Sequence, residues 1–157
     1  TTTLAAFAGN GEALKAAELL RGLSGDAVDT NVISALNMWH TLPVLEAAGV
    51  AVDKQDWLDL VKNAPVSGQG FGSLPPLLLK AVTAAAAARH VAETVLLANW
   101  LLHDVALEET NPADLAAVIH ALDMIGQGDV AKAFAHEIIA AHLMRRLAEM
   151  IPDGIQS

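Results

Sequence analysis

With 157 residues, 54% of them hydrophobic and only 17% charged, the chain is one domain in size and too apolar to remain disordered. Its net charge of −9, with Lys and Arg scattered apart from Arg145-Arg146, leaves no basic face for nucleic-acid phosphates or an anionic membrane surface. The absence of cysteine excludes disulfides, thiolate zinc sites and cysteine nucleophiles.

Alanine and leucine supply most of the apolar content, and Val and Ile do not fall into alternating runs. Both dominant residues favour helix over strand, so the expected fold class is all-α. The chain opens at Thr1 with no basic-then-apolar leader. No signal peptide is therefore expected within it, while a trimmed leader and a longer parent polypeptide both fit. The alanine-rich, lysine-poor style fits a GC-rich bacterium, and cytoplasm and periplasm stay open.

In chain order, Leu4 to Ala8 reads as the end of a helix whose start is missing. Gly11 to Leu23 is the next helix, closed by Gly22 and Gly25. Asp26 or Asp29 can cap a third, running to about Ala48, bent at Pro43 and stopped by Gly49. Between Thr30 and Leu45 there is no formal charge, and Ser34, Asn37 and Thr41 form the only polar stripe. That helix is expected to be central. Asp53 caps a short helix to about Asn63, after which APVSGQGFGSL makes the longest loop. Ser73 and Pro75-Pro76 open the following helix, since proline is tolerated in a first turn.

The run AAAAARHVAETVLLANWLL, Ala84 to Leu102, looks at first like a membrane span. Arg89, His90 and Glu93 sit inside it, and each charge near a bilayer centre would cost roughly 2.5–3.5 kcal/mol. As one soluble helix, Pro75 to His103 would be about 43 Å long. The alternative is a tight turn at Ala88 to His90 joining two shorter helices. Beyond the Glu108-Glu109 link, Asn111-Pro112-Ala113-Asp114 is the clearest helix start, with a cap, a first-turn proline and an acid at the positive dipole end. Leu115, Val118, Leu122 and Ile125 should face inward, with Ala116, His120 and Asp123 largely opposite. A last helix from Asp129 to about Met150 should bury Val130, Phe134 and Ile138, with Arg145 on that same face. Pro152-Asp153-Gly154 ends the order.

Internal similarity favours the turn. Segments opening at Gly11, Val50, Arg89 and Gly128 align at a spacing of about 39 residues, bringing Lys15, Lys54, Glu93 and Lys132 into register, and Leu19, Leu58 and Leu97 likewise. The expected architecture is antiparallel helical hairpins stacked as a short α-solenoid or right-handed superhelix. Residues 1–151 form a single helical-repeat domain whose first repeat is truncated, and 152–157 form a tail. In period and helix-pair style the chain resembles tetratricopeptide-like helical-hairpin repeats, although that family's 34-residue period and Trp-Leu-Gly-Tyr pattern are absent. The resemblance implies a protein-binding scaffold and carries over no individual residue.

Chemistry-bearing constellations are sparse. His136-Glu137 begins like a zinc-protease helix, but position 140 is alanine and His142 lies about 240° around. Gly68, Gly70 and Gly72 lack the Lys-Ser/Thr and the preceding strand of a phosphate loop. Asp53, Asp56 and Asp59 line a helix edge and cannot converge on calcium. His120 and Asp123 read as a solvated pair. No catalytic set, cofactor site or metal site is expected. The candidate binding residues are Trp100, His90, Glu93 and His103 on the helix after the turn, together with Phe71 in the glycine-rich loop. Trp39, Trp57 and Trp100 are expected core anchors, whereas one left exposed on a concave face would mark a binding hot spot. Two readings follow: a non-catalytic module for protein–protein interaction or self-association, with exposed apolar surface near Leu4 and Phe7, or a small-molecule or metal-binding, possibly enzymatic, domain with its site between hairpins.

Overall fold

Proline decides where the first described helix begins. The computed structural model describes residues 33, 38–63 and 70–149; the helices expected over 4–8 and 11–23, the caps at Asp26 and Asp29, Leu4, Phe7 and the tail lie outside them. Pro43 does not bend a long helix as the sequence suggests. A 3-10 turn, Trp39–Thr41, is followed by α1, Leu42–Ala47, with Pro43 in its first turn. A proline there loses no internal hydrogen bond, whereas mid-helix it would clash with the carbonyl four residues back. Thr41 Oγ1 donates to the Met38 carbonyl at 2.7 Å, tightening the junction. Gly49, at φ +87°, ends the helix as expected.

Helix α2, Lys54–Asn63, starts where Asp53 predicts, and the Asp53 carboxylate accepts from the Gln55 N–H at 3.4 Å. The alanine run divides into α3, Pro76–Ala87, and α4, Val91–Leu101. Arg89 turns the chain at φ +57°. The His90 N–H reaches back to the Ala85 carbonyl at 3.0 Å, and that of Arg89 to Ala86 at 2.9 Å. This is a left-handed helix stop carried by an arginine where glycine is usual, which explains its weak local signal. A 3-10 turn, Leu107–Glu109, then leads to α5, Pro112–Met124, and α6, Gly128–Glu149. Asn111 caps α5, its side chain accepting from the Ala113 N–H at 3.0 Å.

The described residues thus form six α-helices and two 3-10 turns, with one isolated parallel bridge between Gly72 and Thr110. None of these helices is long and apolar enough to cross a membrane. Helix α5 is the hub, packing against α1, α3, α4 and α6. Its expected apolar stripe is buried, but so are Ala116, Ile119 and Ala121, leaving His120 and Asp123 exposed. Having packed helices on several sides, α5 hides more than one stripe. Helix α6 is rotated from its expected face: Ala131, Ala135, Ile138, Ile139, His142 and Leu143 are buried, whereas Val130 is half exposed. The alanines let its backbone approach closely, while Phe134 only flanks the core.

Replacing Ile119, which is fully buried, with alanine should lower unfolding free energy by roughly 2–4 kcal/mol. Asn111→Ala should cost about 1 kcal/mol through the lost cap. Urea denaturation checks both, and a loss below that of the cap variant for Ile119→Ala would contradict the hub assignment.

Candidate interaction surface and imidazole cluster

Helix α4 follows His90, the residue that the turn leaves at its N-cap. Thr94 is fully buried, its hydroxyl donating to the His90 carbonyl at 2.8 Å, and Ala98 and Leu101 face the core on the same side. That choice turns the opposite arc to solvent. Val91 is 45% exposed, Val95 43%, Leu96 70% and Trp100 69%. Ala92, Glu93 and Asn99 are exposed between them. A helix this apolar would usually be covered on both sides. Here one side packs on α3 and α5, and the other presents a mainly apolar strip that Glu93 and Asn99 interrupt.

The sequence candidates fall on this strip and its ends without closing a pocket. His90 Nδ1 lies 2.9 Å from Glu93 Oε2, both side chains well exposed. His103 pairs with the adjacent Asp104 at 3.3 Å beyond the other end of α4. The tryptophans separate clearly: Trp39 and Trp57 pack against the core, and Trp100 does not.

Phe71 belongs to a different place. Gly72 anchors its segment, donating to the Glu109 carbonyl at 2.7 Å and accepting from the Asn111 N–H at 2.8 Å. The Leu74 N–H donates to Asp114 Oδ2 at 2.9 Å. Phe71 is thereby set between His40, from the turn before α1, and His142, from α6. The three ring centroids are 5.1–5.5 Å apart. Arg145 lies over the Phe71 ring at 5.9 Å, donates to the Glu108 carbonyl at 2.8 Å and pairs with Glu149 at 3.4 Å. The polar end of α6 therefore meets the chain's own loop. An open cleft of about 550 Å³ borders this cluster, lined in part by Gly72, Ser73, Glu109, Thr110 and Arg145.

His40 and His142 are the residues that sequence reasoning missed. A signal existed for His142, which follows Ile138 by one helical turn and neighbours Leu143 on the buried face. His40 carried none. Burial, then the neighbouring His142 and Arg145, depress the His40 pKa from 6.5 to about 4, against the opposing charge of Glu149. His142 is 3% exposed. Burial and then Arg145 lower its pKa, opposed by Glu108 and a hydrogen bond to the Leu107 carbonyl. Its Nε2 has no partner among the described residues.

The remaining candidates stay apart. His136 is half-buried and His120 exposed, and the Asp59 carboxylate accepts from Gln55 and pairs with Lys62. Gly68 lies outside the described residues. No group of three or more His, Asp or Glu side chains among the described residues is placed to hold a metal ion. No known protein family, curated protein or solved structure matches this chain.

Because the folded state holds His40 below its unfolded pKa of 6.5, its contribution is intact above that pH and is lost as pH falls toward 4. Fully expressed, the loss is about 3 kcal/mol. Melting curves between pH 7 and 4 should fall more steeply for the parent chain than for His40→Phe, and parallel curves would remove the histidine from the acid response.

Proposed function

We propose that this chain is a non-catalytic helical-hairpin module that binds protein through the outward face of α4. The carrying observation is the strip of Val91, Val95, Leu96 and Trp100, in which the tryptophan is 69% exposed. Contiguous exposed apolar side chains on one element mark docking surfaces, and tryptophan is among the residues that dominate binding energy. The short turns that close α3 against α4 and α5 against α6 support a hairpin array of the tetratricopeptide-like kind, stacked as a short α-solenoid with a repeat of about 39 residues. In such an array binding falls on an exposed helix face. The alternative, a small-molecule or metal site between hairpins, draws less support, because His90, Glu93 and His103 pair locally along open surface.

A photo-crosslinking amino acid at position 100, in cells that make the chain natively, should capture a protein adduct. The same probe at Leu77, which is 84% exposed on α3, should capture several-fold less. Absence of any adduct at position 100 would overturn the reading.

A further inference from the structure

We infer that the occupant of the α4 face is a second copy of this chain, its α4 packed antiparallel to the first about a two-fold axis near Val95 and Leu96. The inference rests on the docking role proposed for that face and adds its partner and geometry.

The strip is symmetric under reversal. Its exposed residues are Val91, Ala92 and Glu93, then Val95 and Leu96, then Asn99 and Trp100. Ala92, Leu96 and Trp100 are four residues apart and therefore on one side of the helix, and reversal about Leu96 exchanges Ala92 with Trp100 and Glu93 with Asn99. Turning one helix end for end places Trp100 of each copy over the small Ala92 and Val91 of the other and sets Leu96 against its counterpart. A two-fold interface requires this kind of self-complementarity, since the same patch serves both sides.

The ends agree in charge. Arg89 and Asp104 flank α4, and both turn the chain with positive φ, at 57° and 59°. Both are exposed, and Arg89 has no ion-pair partner among the described residues. Antiparallel packing brings the Arg89 end of one copy to the Asp104 end of the other. Parallel packing would place like charges together, and would also align rather than oppose the helix dipoles. Two copies of a chain with a net charge of −9 repel in general. The only carboxylate on α4 itself is Glu93, which already faces His90, so this face is spared most of that repulsion. The 11 residues of α4 fall short of the roughly 20–30 per side of a stable interface. The dimer is therefore expected to depend on concentration.

The cysteine-free sequence permits a direct test on the purified full chain. Sedimentation velocity over a concentration series should show growth from the 16.4 kDa monomer to twice that mass, and Leu96→Asp should abolish it while leaving unchanged the melting temperature measured at dilutions where the parent chain is monomeric. Under mild oxidation, Leu96→Cys should form a disulfide-linked dimer. A mixture of Ala92→Cys and Trp100→Cys chains should give the mixed dimer several-fold faster than either variant alone, and Leu77→Cys should stay monomeric. Preferential 92–92 and 100–100 dimers, or a monomer at every concentration, would overturn the inference. A foreign protein captured at position 100 beside a monomeric purified chain would overturn it too, while leaving the docking role of α4 standing. No adduct and no dimer would remove both.

Discussion

Enclosure of α5 on several sides is the constraint on which the rest of the structure depends. Leu115, Val118 and Ile119 are wholly buried, and Ala116 and Ala121 nearly so. They meet Leu42, Val44 and Leu45 of α1, Val82 and Ala86 of α3, and Ile138, Ile139 and Leu143 of α6 in one core. Once α5 takes that position, each neighbour must turn an apolar side toward it. Small side chains at Ala86, Ala98, Ala131 and Ala135 let the backbones come close, so much of the core is alanine against aliphatic rather than aromatic against aromatic.

The outward face of α4 follows from that arrangement. Thr94, Ala98 and Leu101 lie on the side turned to the core, and burying them rotates Leu96 and Trp100 into solvent. A helix lying against more neighbours would have no such strip. The segment around Phe71 is held by the Gly72 bridge and by Asp114, and it brings two imidazoles and a guanidinium around one ring. Uncharged imidazoles suit this setting, because a proton on either would lie beside Arg145 and inside a partly desolvated cluster.

Helix type and several boundaries were legible in the residues. Asn111-Pro112 starts α5, Asp53 starts α2, Gly49 stops α1, and the Ala88–His90 turn falls where the internal alignment places it. Residues Trp100, His90, Glu93 and His103 could be named as candidates, because they crowd onto one short helix and its ends. Their separation from Phe71 could not be read. Nor could the meeting of His40 and His142, which are a hundred residues apart and share no motif.

What the sequence determined by itself is therefore local: the all-α class, the capped starts and the reversal near Arg89, each set by backbone propensity, capping chemistry or the cost of burying charge. The tertiary structure alone decided which arc of each helix is covered. Helices α4, α5 and α6 are apolar on more than one side, so periodicity could not assign Val130, Ala116 or Trp100 to core or solvent. That choice belongs to the number and position of packing neighbours, a property of the assembled core rather than of any single segment.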